Sequence, residues 1–83
     1  MLPCIVHARH DGDYRVWLRF SDGAEGTIDL ESELTGPLFE PLKNPGLFSK
    51  LRLDPELRTL AWPNGADLAP EFLKELLDAR MTW

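Results

Sequence analysis

The stretch from Tyr14 to Leu30 constrains this chain more than any other, because it reads as a β-hairpin whose register follows from its side chains. Tyr14, Val16, Leu18 and Phe20 alternate with Arg15, Trp17 and Arg19, the two-residue period of a strand with one apolar face. A two-residue turn at Asp22-Gly23 sets Leu18 against Thr27 and Val16 against Asp29, mixing apolar and charged residues on one face. A three-residue loop, Ser21-Asp22-Gly23, with Gly23 left-handed in a bulge, shifts the pairing by one. Tyr14 then faces Leu30, Val16 faces Ile28, Leu18 faces Gly26 and Phe20 faces Ala24. On the other face Arg15 meets Asp29, Trp17 meets Thr27 and Arg19 meets Glu25. Each cross-strand pair contributes about 0.2–1 kcal/mol, so their sum selects this second register.

The rest of the chain is read outward from that hairpin. Pro3 to His10 reads as a first strand, joined to the hairpin by a turn at Asp11-Gly12-Asp13. A three-residue loop there puts Cys4, Val6 and Ala8 on the Leu18 face and keeps His7 and Arg9 outside. Ile5 then lies outside, beside Trp17. Glu31 to Leu34 reads as one helical turn, with Asp29 as its N-cap and Gly36-Pro37 as its end. Leu38, Phe39 and Leu42 are expected to plug the core or the sheet edge. Asn44-Pro45 starts a short turn that carries Leu47 and Phe48 inward. Lys50 to Asp54 alternates as a strand, Asp54-Pro55-Glu56 is a turn, and Leu57 to Trp62 is the last strand. Pro63 stops it, since proline cannot donate to a ladder. Pro70 opens a final helix with Phe72, Leu73, Leu76 and Leu77 in one stripe and Glu71, Lys74, Glu75 and Asp78 on the wet face. Positions 79–83 are expected to fray unless Trp83 finds a groove. The sum is a single α+β domain over residues 1–83, with about five mainly antiparallel strands, short helical turns in the middle and a C-terminal helix on one sheet face.

Charge and composition narrow the function classes. The net charge is −5, with nine basic residues spread along 83 positions. Direct nucleic-acid binding needs a basic surface and is not expected, whereas a basic protein partner is admitted. The single cysteine, Cys4, allows no internal disulfide and fits a cytoplasmic setting. No apolar run approaches the ~18 residues that span a membrane, and the N-terminus lacks the pattern of a signal peptide. A chain of this length buries only about 60–65% of its unfolded surface, so a homodimer would add stability.

Groups able to do chemistry are scarce. Cys4, His7 and His10 have the spacing of metal ligands. On a strand, however, Cys4 and His10 stand about 20 Å apart and His7 points away, so no metal and no cofactor are expected. Ser21, Ser32 and Ser49 fall in turns or caps, and no Gly-x-Ser-x-Gly elbow is present. The pairs Glu31/Glu33 and Asp11/Asp13 lie in solvated turns. No catalytic residues are assigned, and the chain is not expected to be an enzyme. Two sets of residues suit recognition. One is Trp62, Asn64 and Asp67 in the Trp62-Pro63-Asn64-Gly65-Ala66-Asp67 segment, which reads first as a rigid strand-to-helix joint with a Trp lid on the core, and second as a recognition or small-ligand loop. The other is Trp17 between Arg15 and Arg19 on the outer sheet face.

Phe20-Ser21-Asp22-Gly23, then Asp29-Leu30, then Trp62-Pro63-Asn64-Gly65-Ala66-Asp67-Leu68-Ala69-Pro70-Glu71, resemble the bacterial family catalogued as domain of unknown function 2442. The resemblance extends from about Pro3 to Leu77, and the second motif carries most of it. It implies a small α+β domain. Some members carry a fused helix-turn-helix, and others are encoded beside a second small protein. That organisation implies an antitoxin-like or regulatory role toward a basic protein encoded nearby. No helix-turn-helix is expected within residues 1–83, so direct DNA reading is not expected of this stretch, and the family supplies no catalytic residues to carry over. The expectation is a non-catalytic interaction module, with small-ligand binding around Trp62–Asp67 as the alternative.

Overall fold

The computed structural model describes residues 4–81. Three strands, β1 (Ile5–His10), β2 (Arg15–Phe20) and β3 (Glu25–Asp29), form an antiparallel sheet in the order β1-β2-β3. The β2–β3 register is the one the side chains select: Val16 pairs with Ile28, Leu18 with Gly26, and Arg15, Trp17 and Arg19 with Asp29, Thr27 and Glu25. The connecting loop closes through hydrogen bonds from Gly23 N to Phe20 O and from Phe20 N to Ala24 O, with Gly23 at φ +92. The Asp22 carboxylate accepts from Ala24 N and from Lys74, 3.1 Å away. Gly26 is small for a reason. A Cβ there would sit 2.7 Å from Leu77 Cδ1 of the C-terminal helix.

The first hairpin departs from the sequence reading at two points. Asp11 N donates to Arg15 O and Arg15 N to Gly12 O, so the turn sits one residue later, at Gly12-Asp13-Tyr14, and the pairing slides by two. Ala8 keeps its place on the Leu18 face, and His7 and Arg9 stay outside. A register shift between Ile5 and His7 then reverses the sides of Ile5 and Val6. Ile5 is buried opposite Phe20 and Val6 is 41% exposed, the opposite of the expected arrangement. The physical reason is a bulge: one extra residue in an edge strand rotates everything beyond it by half a period.

Residues 31–48 run through a 3-10 turn (Glu31–Glu33), α1 (Gly36–Phe39), a second 3-10 turn (Glu40–Lys43) and α2 (Pro45–Phe48). Asp29 accepts from Glu31 N at 2.9 Å in an Asx turn just ahead of the 3-10 turn, whose N-cap is Leu30 and not Asp29 as expected, because the turn starts one residue later. Gly36-Pro37 begins a helical turn where a stop was expected, because proline suits the first positions of a helix as well as the residues beyond its end. Of the intended plugs, Leu42 is buried, Phe39 partly so, and Leu38 is exposed. Asn44 caps α2 by accepting from Gly46 N at 2.9 Å. Phe48 ends α2 at the centre of the core, edge-on to His10 and Tyr14 and tilted against Trp62.

β4 (Arg52–Asp54) and β5 (Thr59–Ala61) form a second, two-stranded sheet, both strands shorter than expected. Leu57 belongs to the turn and is exposed, since Asp54 accepts from Glu56 N and Leu57 N and Arg58 takes a left-handed φ of +56. This hairpin meets the edge of β1 where Ile5 N donates to Arg58 O. α3 (Pro70–Met81) lays Leu73 and Leu77 on the inner face, with Phe72 and Leu76 at the margin. It continues through positions 79–81, where a frayed tail was expected; Thr82 and Trp83, and with them the expectation for Trp83, lie outside the described residues. The architecture is α+β. All of the helical elements and β4–β5 pack on one side of the three-stranded sheet, and the core is Val16, Leu18, Phe20, Ile28, Leu30, Phe48, Trp62, Leu73, Leu77 and their neighbours. No helix among the described residues is long and apolar enough to cross a membrane.

Candidate functional site

Among the described residues, the packing leaves the other side of the three-stranded sheet uncovered. Strand alternation brings His7 and Arg9 from β1, Arg15, Trp17 and Arg19 from β2, and Glu25, Thr27 and Asp29 from β3 onto it. Arg15, Trp17 and Arg19, three of the residues singled out in the sequence, are therefore together. Trp17 is half-buried, with the Arg9 guanidinium 5.2 Å from its ring centroid. Such a stack covers part of the indole with the guanidinium and keeps the cation solvated. Arg19 pairs with Glu25 at 3.6 Å, and Arg15 lies 4.0 Å from Asp13. These pairs are solvent-exposed and contribute little to stability.

The other three candidates are elsewhere. Trp62 is 1% exposed, and its indole N–H donates to Phe48 O at 3.0 Å. It is the lid on the core, and direct contact between its ring and a partner is ruled out by burial. Asn64 is exposed but occupied, donating to Leu38 O and accepting from Ala66 N. Asp67 is held by a backbone bridge to Ala61, with its side chain outward. The segment is thus a packed strand-to-helix joint. Its tryptophan faces the core, while Asn64 and Asp67 stay on the surface.

Two open clefts lie at the far end of the hairpin, and neither is lined by the Trp62–Asp67 joint. One, of about 590 Å³, is lined by Asp11, Arg15, Thr27, Ile28, Asp29 and Leu76. The second, of about 280 Å³, is lined by Asp13, Tyr14, Arg15, Asp29 and Glu31. They share Arg15 and Asp29, so one acidic groove with a single guanidinium runs past the end of β2 and along β3. The Thr27 hydroxyl donates to Asp11 at 3.4 Å across it. Sequence reasoning placed Asp11, Asp13 and Glu31 in solvated turns and did not gather them. The signal available was the Arg15–Asp29 pairing, which fixes the two turns at one end of the sheet. Among the described residues, no three His, Cys, Asp or Glu side chains are placed to hold a metal ion.

Comparison with known proteins adds a family and nothing finer. A family model described as protein of unknown function (DUF2442) matches residues 5–77. No curated protein and no solved structure matches.

Proposed function

We propose that this chain, which belongs to the DUF2442 family of proteins of unknown function, is a non-catalytic protein-interaction module whose contact surface is the uncovered face of the three-stranded sheet. The observation that carries this reading is Trp17. It is a large aromatic residue stacked with Arg9 and flanked by Arg15 and Arg19, on a face that no other element among the described residues covers. Tryptophan and arginine supply most of the binding energy where proteins meet, and both are here held in place before any partner arrives. The partner is a basic protein. The chain carries a net charge of −5, and Asp11, Asp13, Asp29 and Glu31 line the groove beside the aromatic patch. An antitoxin-like or regulatory role in the cytoplasm toward a protein encoded nearby, as the family resemblance implies, is the specific form of the proposal.

The test is capture of the tagged chain's partner from its native cytoplasm at low and high salt. A single stoichiometric basic protein released at high salt is expected, because the screening length falls from about 8 Å at physiological salt to about 3 Å at 1 M. Trp17→Ala is expected to weaken capture about tenfold or more with the fold intact. Equal capture by Trp17→Ala would remove this face from the interaction.

A further inference from the structure

β3 is an edge strand, and among the described residues its outward backbone is unused. The ladder bonds from Phe20 N to Ala24 O and from Leu30 N to Tyr14 O set the phase of the β2–β3 pairing. In that phase Gly26 and Ile28 exchange hydrogen bonds with β2, while the N–H and C=O groups of Glu25, Thr27 and Asp29 point away from it. Among the described residues none of those six groups has a hydrogen-bond partner. The opposite edge differs, because β1 is met there by the second hairpin through Ile5 N and Arg58 O. Beside the open edge runs the 590 Å³ cleft, with Ile28 and Leu76 on its core side and Asp11, Thr27 and Asp29 on its outer side.

We infer that this edge receives an extended segment of the basic partner as a fourth strand, with lysine or arginine at alternate positions facing Asp11, Glu25 and Asp29 and apolar residues between them facing Ile28 and Leu76. The inference rests on the interaction module proposed above and names how its partner is held. Main-chain hydrogen bonds to an exposed edge supply affinity in this mode, and alternate side-chain sites supply selectivity. Charge chooses between the two obvious occupants. A second copy adding β3 to β3 antiparallel about Thr27 sets Glu25 opposite Asp29 of the copy, twice over, and like charges directly opposite repel. Carboxylates on an edge strand guard against that pairing and favour a cationic strand.

The probe is a short blocked peptide alternating lysine and valine, titrated into the full chain and followed by backbone amide NMR and hydrogen exchange. Binding with slowed exchange at Glu25, Thr27 and Asp29 is expected. N-methylation of alternate peptide nitrogens, which keeps charge and removes main-chain donors, should weaken binding roughly tenfold, and so should Thr27→Pro, which deletes an outward N–H that the fold does not use. The methylated peptide probes the unaltered chain, so the result stands even if the proline variant does not fold. Equal binding of the two peptides, shifts confined to Trp17 and the arginines, or protection of the same amides by self-association without peptide would each overturn the inference. Native partner capture that is unaffected when the edge is blocked sinks the fourth strand and spares the interaction module. Edge binding of the peptide with no native partner captured does the reverse.

Discussion

Replacing Trp62 with phenylalanine tests the core reading quantitatively. Trp62 is 1% exposed, and its indole N–H reaches the Phe48 carbonyl at 3.0 Å. That carbonyl also accepts from Leu51 N at 3.2 Å, so it is not orphaned when the indole is removed. The loss is one net hydrogen bond, about 1 kcal/mol. The smaller ring leaves a void of roughly 40 Å³, which at about 24 cal/mol per Å³ costs about another 1 kcal/mol. The expected destabilisation is about 2 kcal/mol, or a fall in melting temperature of roughly 8–16 °C for a domain of this size. Urea unfolding followed by circular dichroism measures it, and the blue-shifted part of the tryptophan emission should be absent from the folded variant, because the buried indole is gone. A change below about 0.5 kcal/mol, the range of ordinary surface substitutions, would refute the packing argument. The same reasoning disqualifies Trp62→Ala as a probe of binding. It would cost about 3–5 kcal/mol against a total of about 4–12 for a chain of 83 residues, so lost binding would report lost structure.

Acid should unfold the domain partly through Asp22 and Asp54. Asp22 is held below the ordinary carboxylate range by the Ala24 amide and then by Lys74, and Asp54 by the Leu57 and Glu56 amides. Their stabilisation is present above the unfolded value, near 4, and is lost as pH falls through the lower folded values, so Asp22→Asn and Asp54→Asn should flatten the drop in urea midpoint below about pH 4. Arg58 sits at φ +56, and Arg58→Gly should raise stability by about 0.5–1 kcal/mol in the same assay, the gain from relieved left-handed strain exceeding the entropy that glycine adds to the unfolded chain. Asn64→Ala removes the bonds to Leu38 O and from Ala66 N and should cost about 1–2 kcal/mol while leaving partner capture unchanged. Lost capture at undiminished stability would return that loop to the interaction surface.

The β2–β3 hairpin was legible in the sequence because only one register keeps charge off the apolar face, and Gly23 supplies the left-handed residue which that register needs. The outer-face residues Arg15, Trp17 and Arg19 followed directly from the alternation. The sides taken by Ile5 and Val6 were not legible. Both are β-branched and apolar, so neither register looks worse until the bulge is seen. Residue type likewise does not separate Trp17 from Trp62. What separates them is that Trp62 follows a strand whose three residues are all buried, whereas Trp17 alternates with core residues on a strand with one wet face. The open edge was beyond local pattern altogether. Had β4–β5 paired with β3 instead of standing as a separate sheet beside β1, the unused donors of Glu25, Thr27 and Asp29 would have been filled from within the chain.

Phe48 gives the molecule an order of assembly. Each hairpin closes through neighbours in sequence, and such closures take microseconds. The Phe48 ring, by contrast, meets His10 at the end of β1, Tyr14 in the turn after it and Trp62 just past β5, and it comes from a helix too short to persist alone. Its contacts join parts far apart in sequence, so they are expected to form after the hairpins have closed. Weakening them should therefore shorten the lifetime of the finished domain far more than it slows the making of one, so the interior of this protein is set by how fast it comes apart.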